Sequence, residues 1–138
     1  MKLFISLSTA FVAAGVWASE NPAQMTPLHD AVWAVETSRC PGDCPSGDGG
    51  KALGPLQIHR GCWTDVARPG ESYEDCADLA YSVEVFNRYM ARYATKRRLG
   101  RMPTAEDKAR IWNGGPNGFK KSATDGYWAK VRTVLGDR

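Results

Sequence analysis

Two carboxylates, Glu36 and Asp48, stand twelve residues apart in surroundings of opposite character. Glu36 falls among Val32, Trp33 and Val35 in "AVWAVETSR", with Trp112 a further apolar candidate neighbour. Asp48 falls among glycines in "GDGGKALGPLQIH". Desolvation favours the neutral form of a carboxyl, whereas exposed backbone N–H groups favour the anion. A pair separated in this way can cleave a glycosidic bond. One acid donates a proton to the leaving oxygen, and the other, ionised, stabilises or attacks the sugar cation. Spacing alone does not select this pair, because the chain holds 15 acidic residues.

Other uses of the glycine loop fail on residue type. A phosphate-binding loop needs G-x-x-x-x-G-K-[ST] after a buried strand. Here no apolar strand precedes the loop, and Ala52 follows Lys51 where a hydroxyl is required. A calcium loop needs several regularly spaced oxygen ligands, and "GDGGKALGPLQI" offers one acid. The two histidines, His29 and His59, lie in separate segments, and Cys40 and Cys44 are spaced C-x3-C. No metal site and no cofactor are expected.

The elements that must position the pair follow from periodicity and end signals. "TPLHDAVWAVETSR" carries Leu28, Val32 and Val35 at helical spacing, with Thr26 as N-cap and Pro27 at the first helical position. This helix should end near Ser38, leaving Glu36 in its last turn, where the helix dipole gives the neutral acid a slight advantage. "CPGDCPSGDGGK" demands turns and accommodates a small hairpin. "LGPLQIHRGCWTDVA" reads as a short helix or two helical turns. In "YEDCADLAYSVEVFNRYMARYATKRR" the residues Leu79, Val83, Phe86, Met90 and Tyr93 form one helical stripe. Thr104 and Asp107 have capping-box spacing ahead of "ARIW". "NGGPNG" stops that helix, and a last helix places Trp128, Val131 and Leu135 on one face before Gly136. The expected class is α+β, mostly helical. His29 reads as a helix-surface residue, and His59 is a candidate for the cleft side.

The chain opens with Lys2, an apolar run from Leu3 to Val16, and "VWA". This pattern predicts a signal peptide over 1–18, cleaved after Ala18, and a single domain over 19–138. The run is shorter than the ~20 apolar residues of a membrane span. An exported chain with four cysteines, Cys40, Cys44, Cys62 and Cys76, is expected to form two disulfides. Of three possible pairings, Cys40–Cys44 with Cys62–Cys76 closes the shortest local segments. A formal charge of +3 is mild, and no nucleic-acid module is visible. A secreted monomer with no nucleic-acid or membrane partner is expected.

Five ordered blocks, "AVETSRC", "GDGGKALGPLQIHRGCWTDV", "YMARY", "ARIWNGGPNG" and "YWAKV", resemble the invertebrate-type lysozyme (destabilase) family from about Leu28 to Val131. The resemblance implies a lysozyme-like fold, with helices enclosing a cleft and a small β-hairpin beside it. It also implies hydrolysis of the β-1,4 bond between N-acetylmuramic acid and N-acetylglucosamine in peptidoglycan, with the family's acid on Glu36 and its second carboxylate on Asp48. Gln57 is then either a buried structural amide or a group near Glu36. Asn113, Asn117 and the backbone of Gly114 and Gly115 are candidates to bind sugar, with Trp112 or Tyr127 stacking on a ring. The alternative for this block is a helix-stopping turn. The chain departs from the family pattern in having only four cysteines, in Cys62 where Tyr is usual, and in Trp112 where His is usual. Lys51 and His59 stand nearest the positions of a Ser and a Lys to which isopeptidase activity is attributed in some members. Two rival readings remain at this level. One is a lytic transglycosylase using Glu36 alone, which "GPLQI" also echoes; the other is a sugar-binding protein without turnover.

Overall fold

The structure, a computed structural model, describes residues 24–136. The expected signal peptide lies outside the described residues. Among them, no helix is long and apolar enough to cross a membrane.

Helix α1 spans Pro27–Thr37 and begins as expected. The Thr26 hydroxyl accepts from the His29 backbone N–H, and His29 Nδ1 accepts from the Thr26 backbone N–H at 2.9 Å. This closes a capping box in which histidine does the work usually done by Glu or Gln. His29 is therefore not a surface residue. It is buried, donates through Nε2 to Asn87 Oδ1 at 2.9 Å, and meets the Phe86 ring edge-on. The helix ends on Ser38 in the left-handed region, φ 52°. Arg39 then folds back onto Asp30 through two hydrogen bonds of 2.9 and 2.8 Å.

The chain runs on through turns to a two-stranded antiparallel hairpin, β1 Ala52–Leu53 and β2 Ile58–His59, with Ala52 facing His59 and Leu53 facing Ile58. The hairpin thus lies in "ALGPLQIH", where helical turns were expected; from residues 40–51 only Gly47 joins it, through an isolated antiparallel bridge to Ala52. The reason is the backbone at its tip. Gly54 has φ +77° and Gln57 φ 51°, conformations a helix cannot contain. Gly54 is also irreplaceable on space, because a Cβ there would lie 1.8 Å from the Cys76 carbonyl oxygen. A short helix, α2 Arg60–Thr64, follows directly.

The long amphipathic stretch is broken where its own capping residues dictate. A 3₁₀ turn, Tyr73–Ala77, ends at Asp78, whose side chain caps α3 Leu79–Tyr93. Thr95 then caps α4 Lys96–Leu99. Val83, Phe86 and Met90 are buried as the stripe predicts, with Leu79 and Tyr93 packed partly against them. Helix α5 Ala105–Gly114 starts with the expected Thr104–Asp107 capping box. Helix α6 Asp125–Leu135 buries Val131 and stops on Gly136.

The main core joins Val32 of α1, Leu56 and Ile58 of the hairpin, Phe86 of α3 and Ile111 of α5. A smaller cluster of Ala31, Ala109 and Val131 fastens α1 to α5 and α6. Arg88 binds Glu71 through both terminal nitrogens at 2.8 and 2.7 Å. Tyr81 also donates to Glu71, and Trp63 donates to Tyr81, each at 3.0 Å. This network holds α2 and the 65–72 connection on α3. The end of α1, the hairpin and the end of α5 are thereby fixed around one opening.

Candidate active site

Glu36, Gly47, Asp48, Ala52, Gln57, His59, Trp112 and Asn113 line a cleft of about 290 Å³. It continues into a second recess of about 350 Å³ that adds Ile58, Cys62, Tyr89 and Gly115. Glu36 enters from the last turn of α1, Asp48 from the glycine loop, His59 from β2, and Trp112 and Asn113 from the last turn of α5.

Burial pushes the Glu36 carboxyl from its ordinary 4.5 up to about 7, the direction expected from its apolar neighbours. Three further influences act on it. Tyr127 donates a hydrogen bond to Oε1 at 2.7 Å and opposes the rise, the Asp48 charge adds to it, and Lys130 opposes it weakly. Tyr127 lies in the first turn of α6, and burial together with the Glu36 charge holds its phenol well above the usual range. Its hydroxyl is committed to Glu36, and Tyr127 is outside the lining of both recesses. The 91 positions between them hid this contact from linear reading.

Asp48 sits in the left-handed region at φ 50°, followed by Gly49 at 65° and Gly50 at 91°. A residue other than glycine there is uncommon and marks a constrained position. The backbone N–H groups of Gly50, Lys51 and Ala52 all donate to the Gly47 carbonyl, so the loop closes on itself beneath the aspartate. The Asp48 side chain is 69% exposed, and His59 Nε2 lies 2.9 Å from its Oδ2.

The expected sugar-contacting residues divide into two groups. Trp112, Asn113, Gln57 and Gly115 border the cleft. Trp112 is anchored by its N–H on the Leu56 carbonyl at 3.2 Å and by the Phe86 ring at 4.8 Å. The Gln57 amide donates to the carbonyls of Gly54 and Pro45 at 2.9 and 3.1 Å, which ties the hairpin turn to the preceding loop. Gly114 and Asn117 are outside the lining of both recesses. Gly114 packs under Thr124, where a Cβ would come within 2.5 Å of Cγ2, and the Asn117 side-chain Oδ1 accepts from Arg98 at 3.2 Å. For these two the helix-stopping role suffices.

Cys40 and Cys44 are joined in a disulfide. Cys62 and Cys76 are free thiols, which differs from the expected second bridge. Burial pushes each thiol up to about 12. Cys62 therefore borders the cleft as a protonated, non-nucleophilic group.

The Destabilase family model matches residues 32–134. Lysozyme 1 of Crassostrea virginica is 40% identical over 99 residues, covering 71% of this chain, and the match spans about half, 53%, of that longer protein. The lysozyme of Meretrix lusoria is 37% identical over 67% of this chain and 75% of its own length. The crystal structure of Tapes japonica lysozyme superimposes with a TM-score of 0.69 at 31% identity, covering 81% of this chain and 91% of that one. Meretrix lusoria lysozyme in complex with Aeromonas hydrophila PliI gives 0.68 at 32% identity, with the same coverage.

Proposed function

The chain belongs to the invertebrate-type lysozyme (destabilase) family of glycoside hydrolases, and from that premise we propose that it is a secreted muramidase. Its substrate is peptidoglycan, cut at the β-1,4 bond between N-acetylmuramic acid and N-acetylglucosamine. Glu36 is the general acid and Asp48 its ionised partner. The observation that carries this reading is the contrast across one cleft. One carboxyl is raised to about 7 by burial, and the other is exposed in a glycine loop.

The Tyr127 hydroxyl binds Oε1 of Glu36, so the acidic proton resides on Oε2. That proton passes to the glycosidic oxygen as the C–O bond breaks. Glu36 is left as a carboxylate, and the Tyr127 hydrogen bond supports the charge it has just acquired. The sugar cation forming on the other side is stabilised or attacked by Asp48. Water then completes the hydrolysis, with its proton returning to Glu36 if the enzyme retains configuration. Trp112 and Asn113 border the path of the glycan and can contact its rings and acetamido groups.

Mass spectrometry of digested peptidoglycan tests this. Reducing-end fragments from the native protein and none from Glu36→Gln are expected. Anhydro fragments instead would assign the protein to the transglycosylases, and no fragments from the native protein would leave a sugar-binding function.

A further inference from the structure

Resting on the two-carboxylate reading, we propose that His59 is the positioning residue of Asp48. It holds one carboxylate oxygen so that the other faces the reacting sugar carbon.

The need for such a group follows from how Asp48 is carried. Its backbone is closed into a tight loop by three N–H groups on the Gly47 carbonyl. Nothing in that closure fixes the side chain. Gly49 and Gly50 contribute no side chain to pack against it, and a Cβ at either would meet nothing within 4 Å. Among the described residues the one recorded polar contact of the Asp48 carboxylate is its ion pair with His59. Rotation about the Cβ–Cγ bond of aspartate is broad. Left alone, the two oxygens would share all orientations over an exposed arc.

His59 is placed to end that freedom. It closes β2 opposite Ala52, and its neighbour Ile58 is 1% exposed in the core. The Ile58 carbonyl accepts from the Tyr73 hydroxyl at 2.5 Å, and the Arg60 guanidinium lies 4.2 Å from the Tyr73 ring centroid. The strand end is thus held from both sides. The imidazole reaches from this rigid base across the hairpin edge to Oδ2, at 2.9 Å. The contact is an ion pair when the imidazole carries its second proton. With Oδ2 taken, Oδ1 remains for the substrate.

An exposed pair of this kind adds little to folding stability, whereas displacing a reacting group by about 1 Å costs ~10²-fold in rate. The two consequences separate a positioning role from a structural one. The test uses His59→Ala and His59→Gln, each in the native and in the Asp48→Asn background, with kcat, KM and melting midpoint read for all. His59→Ala is expected to lose roughly 10–100-fold in kcat while KM and the melting midpoint stay nearly unchanged. The glutamine amide, which can donate from a similar place, should restore most of the loss. In the Asp48→Asn background, His59→Ala should cost nothing further, because the group it serves is gone.

Native kcat in His59→Ala overturns the proposal. So does a rise in KM alone, which would make His59 a sugar-binding residue, or an equal loss in both backgrounds. Failure of the parent reading looks different: Asp48→Asn would then turn over like the native protein, whatever His59 does.

Discussion

The end of α1 and the glycine loop each present one carboxylate to the same cleft, and they hold it by opposite means. Glu36 is carried by a capped helix packed on two others, is largely shielded from water, and is bound by a phenol. Asp48 is carried by a loop with three successive residues at positive φ, stands mostly in solvent, and touches one imidazole. Burial makes a carboxyl a reluctant anion and hence a proton donor at neutral pH. Exposure leaves it free to be an anion but gives it no fixed direction. The molecule therefore supplies desolvation on one side and orientation on the other.

The most severe way to break the contrast is to remove the proton. Glu36→Gln keeps the shape and the Tyr127 contact but cannot act as an acid. A folded variant with turnover reduced by at least ~10²–10⁴-fold is expected in a cell-wall clearing assay. Asp48→Asn attacks the other side. It should also abolish most turnover, with glycan binding retained, since the amide keeps the size and loses the charge. Binding measured by calorimetry with a short glycan separates that result from a collapsed cleft.

Tyr127→Phe sharpens the comparison without destroying it. The phenol hydrogen bond lowers the Glu36 pKa against the larger effect of burial. Its loss should raise that pKa further and move the alkaline limb of the pH–rate profile, expected near the Glu36 pKa of about 7 in the native protein, to higher pH. The acid would then stay protonated over a wider range, at the expense of a several-fold lower kcat because the carboxylate formed is less well supported. An alkaline limb that moves downward would show that another group titrates there.

The smallest effect is on stability. Glu36 binds its proton more tightly in the folded protein than in the unfolded chain, so its contribution is fullest below pH 4.5 and is lost as pH rises through about 7. Glu36→Gln should therefore be more stable than the native protein by about 1–3 kcal/mol at pH 8, with the difference vanishing near pH 4. Urea melts at the two pH values measure it.

What could be read from the sequence was what local chemistry determines. Thr26–Pro27 and Thr104–Asp107 announce the starts of α1 and α5. The stripe through Val83, Phe86 and Met90 announces α3, and Glu36 could be placed in a last turn because Ser38 ends the helix. The hairpin was misplaced because two-residue strands are too short to show alternation. Its tip, moreover, depends on Gln57 taking a left-handed conformation that no glutamine signals. The contacts that define the site were beyond reach for a related reason. Asp48 meets His59 through the pairing of the two strands, Glu36 meets Tyr127 through the docking of α6, and His29 is drawn inward by Asn87, 58 positions away. The second expected disulfide rested on closeness in sequence alone; Cys76 is a free thiol buried in the core, and Cys62 a free, partly buried thiol packed against it.

The bond between Glu36 and Tyr127 also sets when the surroundings of the acid are complete. In the unfolded chain Glu36 stands in water, with the acidity of any free glutamate. Its folded surroundings are complete only when α6, which carries Tyr127 91 positions later, has docked on α1. Catalytic competence is thus the last product of assembly, and a refolding chain should regain its helical signal well before it regains the power to lyse a wall.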